Sequence, residues 1–388
     1  MRKLRIKFLA HTGAPDEIYE KGYKLLDTNF PEEIYEVVDT KPDILFFLSG
    51  GSEREAINAG AFIDKIVLLT HDEDNSHASA TEVKAYLDSE ELESVVWSIY
   101  EPNIRQKGVA LYNTFNALDK LRDQELGLIG TISDWLVASE VDPHVLKDKF
   151  GIYFAPVSWD AIPSFKNCEV SEDFLEHFKS DKNPKLEEAA QVHSLLKKTI
   201  KENHLDAITV ECFPLVKEQK VTACLSLSLL NDQGIPAGCE GDMVSITGMM
   251  FTKALIDKIP WMANTVKVTD KSAFFAHCTV PLSYVKNYTI PTHFETDEGT
   301  AIQGILRPDV VTVFRFDNQL KKAFVASGII KDRPKSPNNC RTQIEVILSE
   351  EKLSKLRNNP LGNHHLIIEG DVTLDLKTAF EWIDVEVI

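Results

Sequence analysis

The chain has 388 residues, with 42 Lys and Arg against 60 Asp and Glu and a formal net charge of −18 at pH 7. That balance argues against nucleic acid as a partner, because binders of a phosphate backbone present a basic face. The 43% hydrophobic and 26% charged fractions are those of a globular chain, and the length predicts two or three domains.

The start, "MRKLRIKFLAHTG", carries only "FLA" as an apolar run before His11. That is too short for an export signal, and no stretch is long enough to cross a bilayer. Cys168, Cys212, Cys224, Cys239, Cys278 and Cys340 contain no CxxC pair, so they read as reduced thiols rather than a disulfide framework or zinc knuckle. A cytoplasmic location without membrane contact is expected.

In chain order, "RIKFLAH", "IYEVV", "DILFFLS", "KIVLLTH" and "SVVWSI" are predicted strands alternating with amphipathic segments, the mark of a parallel sheet. The stretch 103–123 has apolar residues at helical spacing and closes this first domain, 1–124. A second domain, 125–265, repeats the texture. "ELGLIGT" and "YFAPVSW" are predicted strands around a helix capped by Asp142. A long amphipathic helix then feeds the strand "DAITVEC", and "TACLSLSLLNDQGIPAG" reads as the next strand and a turn-rich loop. From 266 to 388 short β-branched and aromatic runs, broken by Gly, Pro, Asn and Asp, predict an antiparallel, barrel-like domain. The chain closes on a helix, "LDLKTAFEWI", and a short strand. The fold class is therefore α/β: two Rossmann-like or flavodoxin-like domains plus a β-rich C-terminal domain.

Polar groups at the ends of apolar runs point to a site. In "LSGGSEREA", Ser49, Gly50 and Gly51 turn a strand into a helix whose first N–H groups are free, a place where α/β sheets bind ligands. No dinucleotide fingerprint or P-loop accompanies it, which weakens a dehydrogenase reading. Glu211 ends a buried strand, and Glu240 and Asp242 open the apolar run of "CEGDMVSITGMM". His277 sits among aromatics in "SAFFAHCTVP", and His364 and His365 form a pair in "GNHHLIIEGD". Each alone has a structural explanation as a cap or a core imidazole. Together they would be costly to bury uncompensated, and a divalent cation held by oxygen and nitrogen donors offsets that cost. Such a set suits Mn²⁺, Mg²⁺ or Co²⁺ better than a thiolate zinc site; Cys239 and Cys278 read as packing thiols.

These motifs resemble the L-fucose/L-arabinose isomerase superfamily. "CEGDMVSITGMMF" is similar to its metal-binding segment, "GNHHLIIEGD" to its C-terminal histidine motif, and the stretch 127–152 to its linker into the second domain. The resemblance implies reversible aldose–ketose isomerisation of an open-chain sugar with Mn²⁺ or a similar ion. It assigns Glu211 and Asp242 as metal-ligand and catalytic carboxylates, Glu211 being the base. Either His364 or His365 is the ligand imidazole. His277, Glu240, Ser49, Gly50 and Gly51 are expected to contact substrate, with Glu240 also able to share the base role. A homo-oligomer, trimer or hexamer, is implied. The competing readings are a sugar-binding protein without turnover and another enediolate reaction, an epimerisation or retro-aldol step.

Overall fold

Short apolar runs set the first layer. In the computed structural model, which describes residues 1–60, 65–179 and 183–388, the first strands are β1 (Leu4–Leu9), β2 (Tyr35–Val37), β3 (Ile44–Phe47), β4 (Lys65–Thr70) and β5 (Glu93–Ser98). All pair in parallel, in the order β2-β1-β3-β4-β5. Every residue of β3 is buried, as expected where helices cover both faces of a parallel sheet. The helices are α1 (Asp16–Asn29), α2 (Glu53–Gly60), α3 (Ser76–Ser89) and α4 (Ile104–Leu121). The chain divides into two units, Met1–Asn116 and Ala117–Ile388, and this sheet belongs to the first.

In the second unit β6 (Glu125–Ile129), β7 (Tyr153–Val157), β8 (Ala207–Val210) and β9 (Ala237–Cys239) form another parallel sheet, ordered β7-β6-β8-β9. Its helices are α5 (Pro143–Phe150), α6 (Glu172–His177), α7 (Leu186–Glu202), α8 (Phe213–Gln219), α9 (Cys224–Asp232) and α10 (Met243–Ile256). Helix α5 starts where its sequence predicts, with Asp142 accepting from the His144 N–H at 2.8 Å. Helix α9 corrects an expectation, since "CLSLSLLND" had the look of a strand. Every residue from Cys224 to Asn231 is buried, so apolar periodicity marks no exposed face and loses its meaning. Ser226 and Ser228 satisfy their hydroxyls on the Ala189 and Val280 carbonyls at 3.4 and 2.8 Å.

The rest of the second unit is an antiparallel barrel. Its strands are β10 (Trp261–Val268), β11 (Ser272–His277), β14 (Val310–Phe316), β15 (Lys322–Asp332), β16 (Thr342–Ile347) and β17 (His364–Glu369). They run β14-β17-β10-β11-β16-β15, and β15 pairs back onto β14, closing the ring. A ribbon of β12 (Val285–Thr289) and β13 (Gln303–Leu306) lies outside it, β18 (Glu386–Val387) joins β15 in parallel, and α11 (Glu350–Asn358) and α12 (Thr373–Trp382) complete the chain.

Strand alternation sorts the barrel residues into two cores. Phe275, Val313, Phe324 and Ile367 fill the interior. Phe314, Phe316, Leu366 and Ile368 face outward and pack with Phe251 of α10 and Phe380 of α12. Each such side chain contributes about 2 kcal/mol on burial. The architecture is the one the sequence predicts: parallel α/β sheets and a C-terminal antiparallel barrel.

Candidate active site

The carboxyl edge of the second parallel sheet is where its loops converge, and the order β7-β6-β8-β9 reverses between β6 and β8 there. Glu211 leaves β8 at that edge, and its Oε2 accepts from the Thr131 N–H at 2.8 Å. Glu240 leaves β9 with φ 62°. Its carbonyl accepts from the Ser133 N–H at 3.0 Å, and its Oε2 accepts from the Trp135 indole at 2.7 Å. Gly241 follows with φ +70°, where a Cβ would strike the Thr131 carbonyl and the Ile132 backbone. Glycine lets this turn pass. Asp242 then caps α10, its Oδ1 accepting from the Ser245 N–H at 2.7 Å.

The barrel brings two imidazoles to this turn. His277 ends β11 and His364 begins β17, on the two strands that flank β10. Their Nε2 atoms lie 3.5 and 3.7 Å from the same Oε1 of Glu240, and the rings are 5.4 Å apart. The opposite nitrogens are anchored. Nδ1 of His277 is 3.0 Å from the Thr279 hydroxyl, and Nδ1 of His364 is 2.8 Å from Oδ2 of Asp242. Both Nε2 atoms are buried with no hydrogen-bond partner among the described residues, a state that costs about 1–3 kcal/mol per polar group unless something fills it. Donor atoms of Glu240, His277 and His364 all fall within 4.8 Å of one another. One carboxylate oxygen and two inward imidazole nitrogens at that spacing fit a divalent cation.

The electrostatics agree with a demand for positive charge. Burial opposes ionisation of Glu240, but His364 and His277 overcome it and hold its carboxyl well below the usual range. Asp242 is likewise held down at about 2, where Arg315 and His364 outweigh its burial. Burial works against charge on His364, yet the two carboxylates raise it to about 9, while burial lowers His277. The two carboxylates thus favour positive charge at His364, whereas burial disfavours it at His277.

The structure separates the residues singled out from the sequence. Glu240, His277 and His364 converge, whereas Asp242 is wholly buried behind His364 with both oxygens engaged. Glu211 stands on the neighbouring strand end and is not among the converging donors of the described residues. His365 points the other way. It lies inside the barrel, 6.0 and 5.5 Å from the rings of Phe275 and Phe324, with Nδ1 2.8 Å from the Thr265 hydroxyl. Burial there lowers it to about 3. Adjacent residues of a strand face opposite sides, so only one of the pair turns to the turn after β9. Ser49, Gly50 and Gly51 belong to the first unit, on the carboxyl edge of its own sheet. Ser49 accepts from the His11 N–H at 2.9 Å, and the Gly51 N–H donates to Glu53 at 3.1 Å. A second donor group in that unit, His71, Glu73 and Asp74, is already satisfied. His71 uses both ring nitrogens, on the Leu48 carbonyl and the Glu73 N–H, and Lys21 pairs with both acids.

Three contributors escaped the sequence reading: Trp135, Ser139 and Arg315. A signal for Arg315 existed, a lone guanidinium inside the apolar run "VVTVFRF". Trp135 and Ser139 lie in a loop with no periodicity to mark them.

No family model matches the chain. It is similar to the sulfoquinovose isomerase of Alkalicoccus urumqiensis, with 22% identity over 300 residues, 71% of this chain and 67% of that protein. The sulfoquinovose isomerases of Priestia aryabhattai and Priestia megaterium are each 21% identical over 295 residues, 70% of this chain and 66% of theirs. The matches span about two thirds of those relatives' length. Across most of its length, therefore, the chain is distantly similar to these sugar isomerases.

Proposed function

We propose that this protein is a metal-dependent aldose–ketose isomerase acting on an open-chain sugar. The observation that carries the reading is the pair of buried, unpartnered Nε2 atoms of His277 and His364 facing one oxygen of Glu240. These three residues would hold the ion, and the mixed donor set suits Mn²⁺, with Mg²⁺ or Co²⁺ as alternatives. When bound, the cation supplies Lewis-acid polarisation of the sugar's carbonyl and adjacent hydroxyl.

The remaining work falls to side chains. Glu211, held by the Thr131 N–H, is the base that takes the C2 proton of the aldose and returns it at C1. The hydroxyl proton on O2 leaves as one is gained on O1, so the net change is an internal proton and electron-pair shift. Trp135 and Phe213, edge to face at 4.7 Å, form an apolar wall beside Glu240 against which the C–H face of a sugar packs. Arg341 supports a substrate with an anionic substituent. It precedes Thr342, which pairs opposite His277, and it donates to Thr292 without a carboxylate partner among the described residues. Sulfoquinovose, which names the relatives' activity, is the first substrate to test. A homo-oligomer belongs to the same proposal and is read by sedimentation.

Chelator-treated protein is expected to lose isomerisation and to regain it with Mn²⁺, in an assay following sulfoquinovose beside neutral pentoses and hexoses. Full turnover by demonstrably metal-free protein would overturn the reading.

A further inference from the structure

Arg315 has no place in the chemistry above, yet it is among the largest fully buried side chains. A guanidinium is rarely placed in a core without a task or full pairing. Its Nη1 donates to the His364 carbonyl at 2.7 Å, and its Nη2 donates to the Ser139 hydroxyl at 3.0 Å and the Ala138 carbonyl at 3.3 Å. Nη1 also lies 3.6 Å from Oδ2 of Asp242. Ser139 completes the ring by donating to that same oxygen at 3.2 Å. The loop before β17 leaves room for the group, because any side chain at Gly362 would collide with it.

We propose that Arg315 is a positioning residue that acts through Asp242 on His364, fixing the ring so that Nδ1–H is spent on Asp242 and Nε2 is aimed at Glu240. Arg315 ties three pieces together: the loop holding Ala138 and Ser139, the cap of α10, and the first residue of β17. A planar fork with several fixed donors does this more completely than a single ammonium. The imidazole of His364 can turn about its two side-chain bonds, and the contact with the Asp242 oxygen fixes both. Asp242 is therefore the orienting carboxylate behind a ligand histidine rather than a ligand itself. Carboxylate support of this kind sets both tautomer and direction in metal sites. The inference rests on the metal-site reading of Glu240, His277 and His364.

The test is Mn²⁺ affinity of the full chain, measured by the electron paramagnetic resonance of free ion, for wild type, Arg315→Met, Arg315→Lys, Asp242→Asn and the Arg315→Met/Asp242→Asn double variant. Arg315→Met is expected to weaken binding about 10- to 100-fold, the range for outer partners of metal ligands. In the Asp242→Asn background the same change is expected to add less than about threefold, because the route through Asp242 is already cut. Arg315→Lys, which keeps the charge, is expected to recover part of the loss. If Arg315→Met does not fold, Arg315→Lys and Ser139→Ala carry the same cycle with Asp242→Asn. Affinity within twofold of wild type in the folded Arg315 variants overturns the proposal. So do losses that multiply independently, since a guanidinium that merely braces the backbone would act without Asp242. A wild-type protein that binds no Mn²⁺ overturns the metal-site reading beneath it, an outcome distinct from either.

Discussion

Glu240 and Asp242 are two residues apart, and the backbone between them decides their different fates. The positive φ at Glu240 and Gly241 turns the first carboxylate out toward two imidazoles and the second inward onto the helix end. A similar division falls on His364 and His365, which strand alternation sends to opposite faces. Glu240→Gln is expected to weaken Mn²⁺ binding by at least about tenfold, whereas His365→Leu is expected to leave it within about threefold. Titration calorimetry on the two variants checks this, and equal losses would put His365 back among the ligands. Arg341 supports a finer prediction about substrate. With Arg341→Gln, KM for a sulfonated sugar should rise about tenfold or more while that for a neutral aldose stays within about twofold. The difference reflects a charge-assisted bond, worth roughly 1.5–3 kcal/mol.

At the scale of elements, the site is assembled from a turn and two strand ends. The turn after β9 is held against the loop after β6 by the Ser133–Glu240 backbone bond at 3.0 Å. The close approach at Gly241 leaves no space for a methyl group. Gly241→Ala is therefore expected to destabilise the fold by about 1–3 kcal/mol, the scale of a strained left-handed residue. Because the turn carries Glu240, Mn²⁺ affinity should fall with it. Chemical denaturation together with the binding assay tests the pair, and a variant of unchanged stability would show that the turn relaxes freely. Helix α9 illustrates the limit of pattern reading at this scale. Periodicity reports which face meets water, and an element buried all round has no such face. The five strands of the first sheet were legible because their apolar runs were short and bounded by turn residues.

For the whole molecule, buried histidines are expected to lower stability in acid. His193 on α7 is fully buried, packs 5.4 Å from the Phe174 ring, and has no hydrogen-bond partner on either ring nitrogen among the described residues. Burial, aided by Lys197 and His177 and opposed by Asp173, lowers it from 6.5 to about 4. The unfolded chain takes up this proton below about 6.5 and the folded one only near 4, so its folded-state stability is intact above that window and lost as pH falls through it. His193→Leu should flatten the decline between pH 6.5 and 4 by up to about 3 kcal/mol, from 1.36 kcal/mol per unit of pKa. Urea denaturation across pH reads the slope, and an unchanged slope would assign the acid sensitivity to His365 and His293, which burial also lowers. Among the described residues no helix is long and apolar enough to cross a membrane.

Local pattern was enough for most of the layers, since a strand that must be buried on both faces has to be apolar wherever it lies in the chain. It was also enough to nominate Glu240, His277 and His364 among the candidate site residues, beside Glu211, Asp242 and His365, because a polar residue ending an apolar run is visible without knowing its neighbours; it gave the metal to Glu211, Asp242 and one of the paired histidines, and Glu240 and His277 to the substrate. Their grouping was not visible. Residues 240, 277 and 364 meet only because the barrel closes β17 and β11 around β10 beside the edge of the second parallel sheet. For the same reason, which histidine of the pair faces the acid depended on where the barrel wall runs. Asp242 and Arg315 show the general cause. Whether a charge binds a ligand or holds another side chain is set by distances of a few ångströms, and these are fixed by contacts between segments far apart in sequence.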